Sequence, residues 1–96
     1  GAASGWRALD NGFSRARWDR ATKSEQAYLR AMAKDGDDGS SSGEVARRLR
    51  RKSTSLGPTR AALISKGLVY APEHGRVQFT VPGMATFITR QPDPDA

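Results

Sequence analysis

Five cations occupy six consecutive positions, Arg47, Arg48, Arg50, Arg51 and Lys52 broken only by Leu49, and three hydroxyls follow directly at Ser53, Thr54 and Ser55. Guanidinium and ammonium groups bind phosphate oxygens, Arg through paired N–H bonds and Lys as a point charge. Hydroxyls donate to the same oxygens. Such a cluster suits a polyanion backbone. The same run is equally an ordinary solvated helix face, so its meaning depends on the elements around it. His74 and Arg76 form a second small polar group. Bond-making chemistry has less to work with. The chain holds one His and no Cys, and its scattered acids and lone His give no Ser-His-Asp set or carboxylate pair. His74 has no second His or Cys to share a metal, which leaves it a surface turn residue. Asp35, Asp37 and Asp38 lack the ordered spacing and terminal Glu of a calcium loop, so they read as a solvated loop. No GxxxxGK[ST] phosphate loop is present.

The balance of 16 Lys+Arg against 10 Asp+Glu gives a formal charge of +6 in 96 residues. That favours a polyanion partner through counterion release, although a basic surface alone explains it as well. The length fits one domain with a modest core. Zero cysteine fits a reducing, cytoplasmic setting. No apolar run approaches the ~20 residues that span a bilayer, so no membrane association is expected. The opening Gly1-Ala2-Ala3-Ser4-Gly5 lacks an initiator Met, and the expectation is a piece of a longer protein.

The elements that must position these groups follow from spacing. Trp6, Leu9 and Phe13 recur at helical intervals and predict a short helix. Trp18 follows, either as core or as part of a broken interface. Thr22-Lys23-Ser24-Glu25 matches a capping box and opens a helix over 23–34, with Tyr28, Leu29 and Met32 as its apolar stripe. Residues 35–42 (DGDDGSSS) form a loop. Ser41-Ser42-Gly43-Glu44 is a second capping-box match, and Val45, Ala46 and Leu49 give a helix over 43–50. A break follows at 51–54. Pro58 is tolerated only in a first turn, so the next helix caps at Ser55 or Thr54. Leu56, Leu63 and Ile64 supply its apolar side, and Gly67 ends it. Periodicity then switches to alternation. A strand over 68–71, a turn at 72–75 and a strand over 76–81 make a hairpin. Met84, Phe87 and Ile88 predict a short closing helix. Tyr70, Phe79 and Phe87 read as core. Residues 91–96 (QPDPDA) read as a disordered tail.

The expected fold class is α+β, mainly helical. Its architecture is a winged helix-turn-helix, with a three-helix core, a β-hairpin wing and a short C-terminal helix. The sequence resembles the C-terminal winged-helix domain of origin-recognition-type AAA+ ATPases and related bacterial ATP-binding proteins. The matching stretches are Ser42–Ala46, Ser55–Arg60, Leu63–Tyr70 and Pro72–Pro82. The resemblance implies an ATPase module in the same chain, binding ATP and Mg outside these residues. Residues 1–20 would then be a linker or the end of that module's lid, 21–90 the winged-helix domain and 91–96 the tail. It implies no cofactor and no small-molecule substrate for these residues themselves.

In this fold the second helix of the pair enters the major groove of double-stranded DNA. At about 100° per residue, Leu56, Leu63 and Gly67 share one side, and Arg60 lies only about 40° from Leu56. The outward side carries Ser55, Pro58, Ala61, Ala62 and Ser65, which read bases weakly. The candidate DNA-contacting set is therefore Arg48, Arg51, Lys52, Ser53, Thr54, Ser55, Thr59, Arg60, His74 and Arg76, gripping mainly backbone with weak sequence selectivity. Arg60 is equally open to a structural role, paired with a carboxylate such as Glu44. Two other functions compete. A protein-interaction or regulatory lid module accounts for the bland outward face. A free-standing transcription regulator would need a dimerisation helix, which is not visible.

Overall fold

The computed structural model describes residues 14–92. Helix α1 covers residues 14–20. Then come α2 (Lys23–Ala33), a 3-10 turn (Gly36–Asp38), β1 (Ser40–Ser41), α3 (Ser42–Leu49), a second 3-10 turn (Ser53–Leu56), α4 (Gly57–Ser65), β2 (Val69–Tyr70), β3 (Arg76–Phe79) and α5 (Met84–Thr89). The class is α+β and mainly helical. The helix expected from Trp6 to Phe13 lies outside the described residues, as do residues 93–96 of the tail.

Local sequence explains most boundaries. The Thr22 hydroxyl accepts from the Glu25 amide (3.2 Å), while the Glu25 carboxylate accepts from the Thr22 amide (3.0 Å). Two orphan donors of α2 are thereby satisfied. The second capping box forms only half. Ser41 Oγ accepts from the Glu44 amide (3.2 Å), but the Glu44 carboxylate turns to Arg47 and Arg48 instead. Helix α4 starts later than expected. Ser53–Leu56 wind into a 3-10 turn first, so Leu56 rather than Ser55 or Thr54 holds the cap position, with Pro58 in the first turn. Gly67, at φ 75°, ends α4 as predicted. Its amide bonds Ile64 O and the Leu68 amide bonds Leu63 O, both at 3.0 Å.

The sheet has three antiparallel strands in the order β1-β3-β2. The hairpin was expected, in the register Val69↔Phe79 and Tyr70↔Gln78. Strand β1 was not. Ser40 and Ser41 pair with Val77 and Arg76, so part of the expected loop is sheet. Gly39 permits that approach. It sits at φ 94°, where an added Cβ would lie 3.1 Å from Val77 O.

The core joins α1, α2, α3, α4, the hairpin and α5. Tyr28, Leu29, Met32, Val45, Leu63, Val69, Val77, Met84 and Ile88 are all buried. Truncating a side chain as buried as Leu63 would cost about 2–5 kcal/mol. Trp18 also belongs to this core, so the packed unit starts before the boundary expected at residue 21. Two expected core residues are outside it. Ile64 is 37% exposed and Tyr70 42%, because Tyr70 alternates with buried Val69 on a two-residue edge strand. At the other end, Arg30 stacks over Trp18 (5.0 Å) and donates to the carbonyls of Gln91 (3.2 Å) and Pro92 (2.6 Å). The tail was expected to be free from residue 91, and this contact holds its first two residues. No helix among the described residues is long and apolar enough to cross a membrane.

Candidate functional site

The cationic run divides according to what each side chain touches. Arg48 points inward. Its guanidinium donates to both oxygens of Asp35 (2.7 and 2.9 Å) and to the Ala31 carbonyl (2.9 Å). That removes Arg48 from the phosphate-binding set. Its neighbours on α3 have the wrong rotation to reach α2, since successive helical residues turn by about 100°. Arg47 is exposed and meets only Glu44, at 3.5 Å. Arg50, Arg51 and Lys52 are exposed, and among the described residues no ion pair or side-chain hydrogen bond engages them. No acid occurs between Arg47 and Thr59, so no sequence neighbour there offsets their charge.

Of these groups, Arg51 borders a groove. Lys23, Ser24 and Ala27 of α2 form one wall, and Leu49, Arg51, Leu56 and Thr59 form the other. Its volume is about 390 Å³. The lining combines the apolar Ala27, Leu49 and Leu56 with two cations, Lys23 and Arg51. Ser53, Thr54 and Ser55 lie exposed in the adjoining 3-10 turn. The Ser55 hydroxyl donates to the Lys52 carbonyl (2.7 Å), which fixes the turn and leaves the oxygen lone pairs as acceptors.

The remaining expected site residues are elsewhere. Arg60 is half-buried, and its Nε carries no hydrogen bond. It lies by Tyr28 rather than by Glu44. Burial raises the Tyr28 phenol above its ordinary pKa, while the nearby Ser42 hydroxyl and the Arg60 charge oppose that rise. Ser42 Oγ, also buried, is close to the phenol but not in hydrogen-bonding geometry. Arg60 forms no ion pair with Glu44, whose carboxylate meets Arg47 and Arg48. Arg76 is partly engaged, by Glu73 (3.7 Å) and by the Asp38 carbonyl (3.4 Å). His74 is exposed on the hairpin turn. That turn is tied to the start of α3, where the Ser42 amide donates to Gly75 O (2.8 Å). The Arg50–Lys52 cluster follows the other end of α3. An eight-residue helix is roughly 12 Å long at 1.5 Å per residue, so hairpin and turn do not form one patch.

The acidic loop is not merely solvated, as was expected. Asp35 grips Arg48. Asp37 accepts from the amides of Gly83 (2.9 Å) and Ala85 (3.4 Å) at the start of α5. Glu25 pairs with Lys66 at 2.6 Å. Burial pushes the Glu25 carboxyl up, but hydrogen bonds from Lys66 and Thr22 and the Lys66 charge outweigh it and hold the group below its ordinary pKa. Acids thus neutralise cations within the body of the fold, and the turn between α3 and α4 is left positive.

Sequence reasoning missed two contributors to this surface. Lys23 was read only as a helix residue, because its place beside the same groove as Arg51 depends on how α2 packs. Arg50 was read only as part of the run. Its position after Leu49, where helices commonly place Gly, was the available signal.

The family model described as Domain of unknown function (DUF8462) matches residues 11–88. No curated protein and no solved structure matches the chain.

Proposed function

The chain belongs to the family described as Domain of unknown function (DUF8462), and from that premise we propose that it is a winged-helix DNA-binding module. It grips mainly the phosphate backbone of duplex DNA, with weak sequence selectivity. The observation that carries this reading is the exposed set Arg50, Arg51 and Lys52 in the turn between α3 and α4, beside a groove that Lys23 also lines. The order α2, α3, turn, α4, β2, β3 supports a helix-turn-helix with a hairpin behind it. The exposed side of α4 offers Pro58, Ala61 and Ser65. These side chains contribute little base discrimination, so phosphates supply most of the affinity. On this reading the ATPase module implied by the sequence resemblance would be the domain that this one serves.

A titration of the 96-residue chain into a labelled mixed-sequence duplex, followed by fluorescence anisotropy at several salt concentrations, tests it. Affinity should fall steeply with salt and differ little between sequences. Absence of binding at low salt refutes it.

A second reading has its own observation. Ile64 and Tyr70 are exposed near the end of α4 and on the sheet edge, where they favour a protein-interaction or regulatory lid role. That outcome predicts no salt-dependent DNA binding and a partner affinity that falls on Tyr70→Ala.

A further inference from the structure

Arg50 stands in a glycine position. It has φ 56° and ψ 42°, and it is the one non-glycine residue with positive φ among the described residues. The backbone shows why the site asks for this conformation. The Arg51 amide reaches Ala46 O (3.0 Å) and the Arg50 amide reaches Arg47 O (3.1 Å). This is the paired closure that ends many helices, with a left-handed residue just beyond the last turn. Helix α4 closes in the same way through Leu68 to Leu63 and Gly67 to Ile64. There the left-handed residue is Gly67, at φ 75°. Two successive helices therefore use one motif, and only the second has the residue that adopts it without steric cost.

Nothing among the described residues accounts for the arginine. The side chain is exposed, and among those residues no ion pair or side-chain hydrogen bond engages it. A non-glycine residue in this conformation carries a steric cost, and residues that bear such strain cluster at sites that contact ligands. The next residue, Arg51, lines the groove. We infer that Arg50 is kept in a glycine position for its guanidinium, which binds a nucleic-acid phosphate next to the one held at Arg51. The inference rests on the DNA-binding reading and adds a contact to it.

Three variants of the 96-residue chain separate backbone from side chain: Arg50→Gly, Arg50→Ala and Arg50→Lys. Each is followed by thermal denaturation and by anisotropy against the same duplex. Arg50→Gly should raise Tm by about 4 °C while weakening DNA binding by about fivefold and lowering the slope of log K against log salt by about 0.9. Arg50→Ala should keep the parent Tm and lose the same affinity. Arg50→Lys should keep both Tm and slope close to the parent. A Tm for Arg50→Gly at or below the parent overturns the argument from strain. Parent-like affinity and slope in both Arg50→Gly and Arg50→Ala, with Arg51→Ala weakened, overturns the contact and leaves the DNA reading standing. No binding by the parent chain at low salt overturns both.

Discussion

Arg48 meets Asp35 through both terminal nitrogens, at 2.7 and 2.9 Å. The same carboxylate accepts from Ser40 Oγ (2.7 Å), and Arg48 also donates to Ala31 O. One arginine thus ties α3 to the end of α2 and to β1. Hydrogen bonding from Arg48, then from Ser40, holds the Asp35 carboxyl down at about 2. A guanidinium whose donors are committed in this way is not available to a phosphate, whereas its neighbours in sequence carry that role only in the proposed function.

The Asp35 interaction predicts a defined acid sensitivity. Its folded pKa of about 2 lies below the ordinary 3.8. The stabilisation is therefore full above about pH 4 and is lost as pH falls towards the folded value. Asp35→Asn should cost on the order of 1 kcal/mol at pH 6, discounted because Asp35 is 30% exposed and screened by solvent. The gap between variant and parent should shrink at pH 2.5. Urea denaturation at the two pH values checks this, and an equal gap at both contradicts it.

Neighbouring cations should respond in opposite ways. Arg51→Ala with Lys52→Ala should leave the urea midpoint almost unchanged, weaken DNA binding by about tenfold and reduce the salt slope by about 1.8. Arg48→Ala should lower the urea midpoint and, at temperatures where it is folded, keep the parent salt slope. Anisotropy and denaturation on the same three proteins decide the matter. An unchanged slope in the double variant refutes the phosphate assignment.

Glu25 and Lys66 join α2 to the end of α4 at 2.6 Å, with the carboxylate 8% and the ammonium 30% exposed. Lys66→Ala leaves a buried carboxylate with only the Thr22 bonds, and should cost about 2 kcal/mol at pH 7. Because the pair holds the Glu25 pKa below its ordinary value, its contribution is present at neutral pH and lost in acid. The cost of Lys66→Ala should therefore be smaller at pH 3. In a double-mutant cycle with Glu25→Gln, the combined loss should fall short of the sum. Additive losses would show that the two side chains are not coupled.

Asp37 caps α5 from 46 residues earlier in the chain. Asp37→Ala should lower stability by about 1 kcal/mol, the usual cost of losing a side-chain cap. Asp37→Asn, which keeps an acceptor, should recover part of it. Thermal denaturation measures both, and equal Tm values for the alanine variant and the parent would mean that the cap contributes nothing.

Features that depend on neighbours in sequence were legible from the residues. The Thr22–Glu25 box, Gly67 at the end of α4, the Val69–Phe79 hairpin and the short α5 all rest on interactions within a few residues or on strict alternation. Strand β1 was not legible. Ser40 and Ser41 have no apolar alternation, and they are extended because β3 offers an unpaired edge. Arg48 could not be told from Arg51 in a basic run, since only the placement of Asp35 distinguishes them. The basic run was therefore visible in the sequence as a stretch, and only the fold separates the engaged Arg48 from the exposed cations beside it.

By itself the sequence determined the mainly helical α+β class, the order of the principal elements and the excess of positive charge after α3. Local capping, periodicity and formal charge do not require knowledge of what lies across the fold. The tertiary structure decided which charges remain available. Ion pairs form between groups far apart in the chain, so only packing could commit Arg48 to Asp35 and Lys66 to Glu25, bring Lys23 and Arg51 to one groove, and leave Arg50 without a partner among the described residues in a left-handed turn.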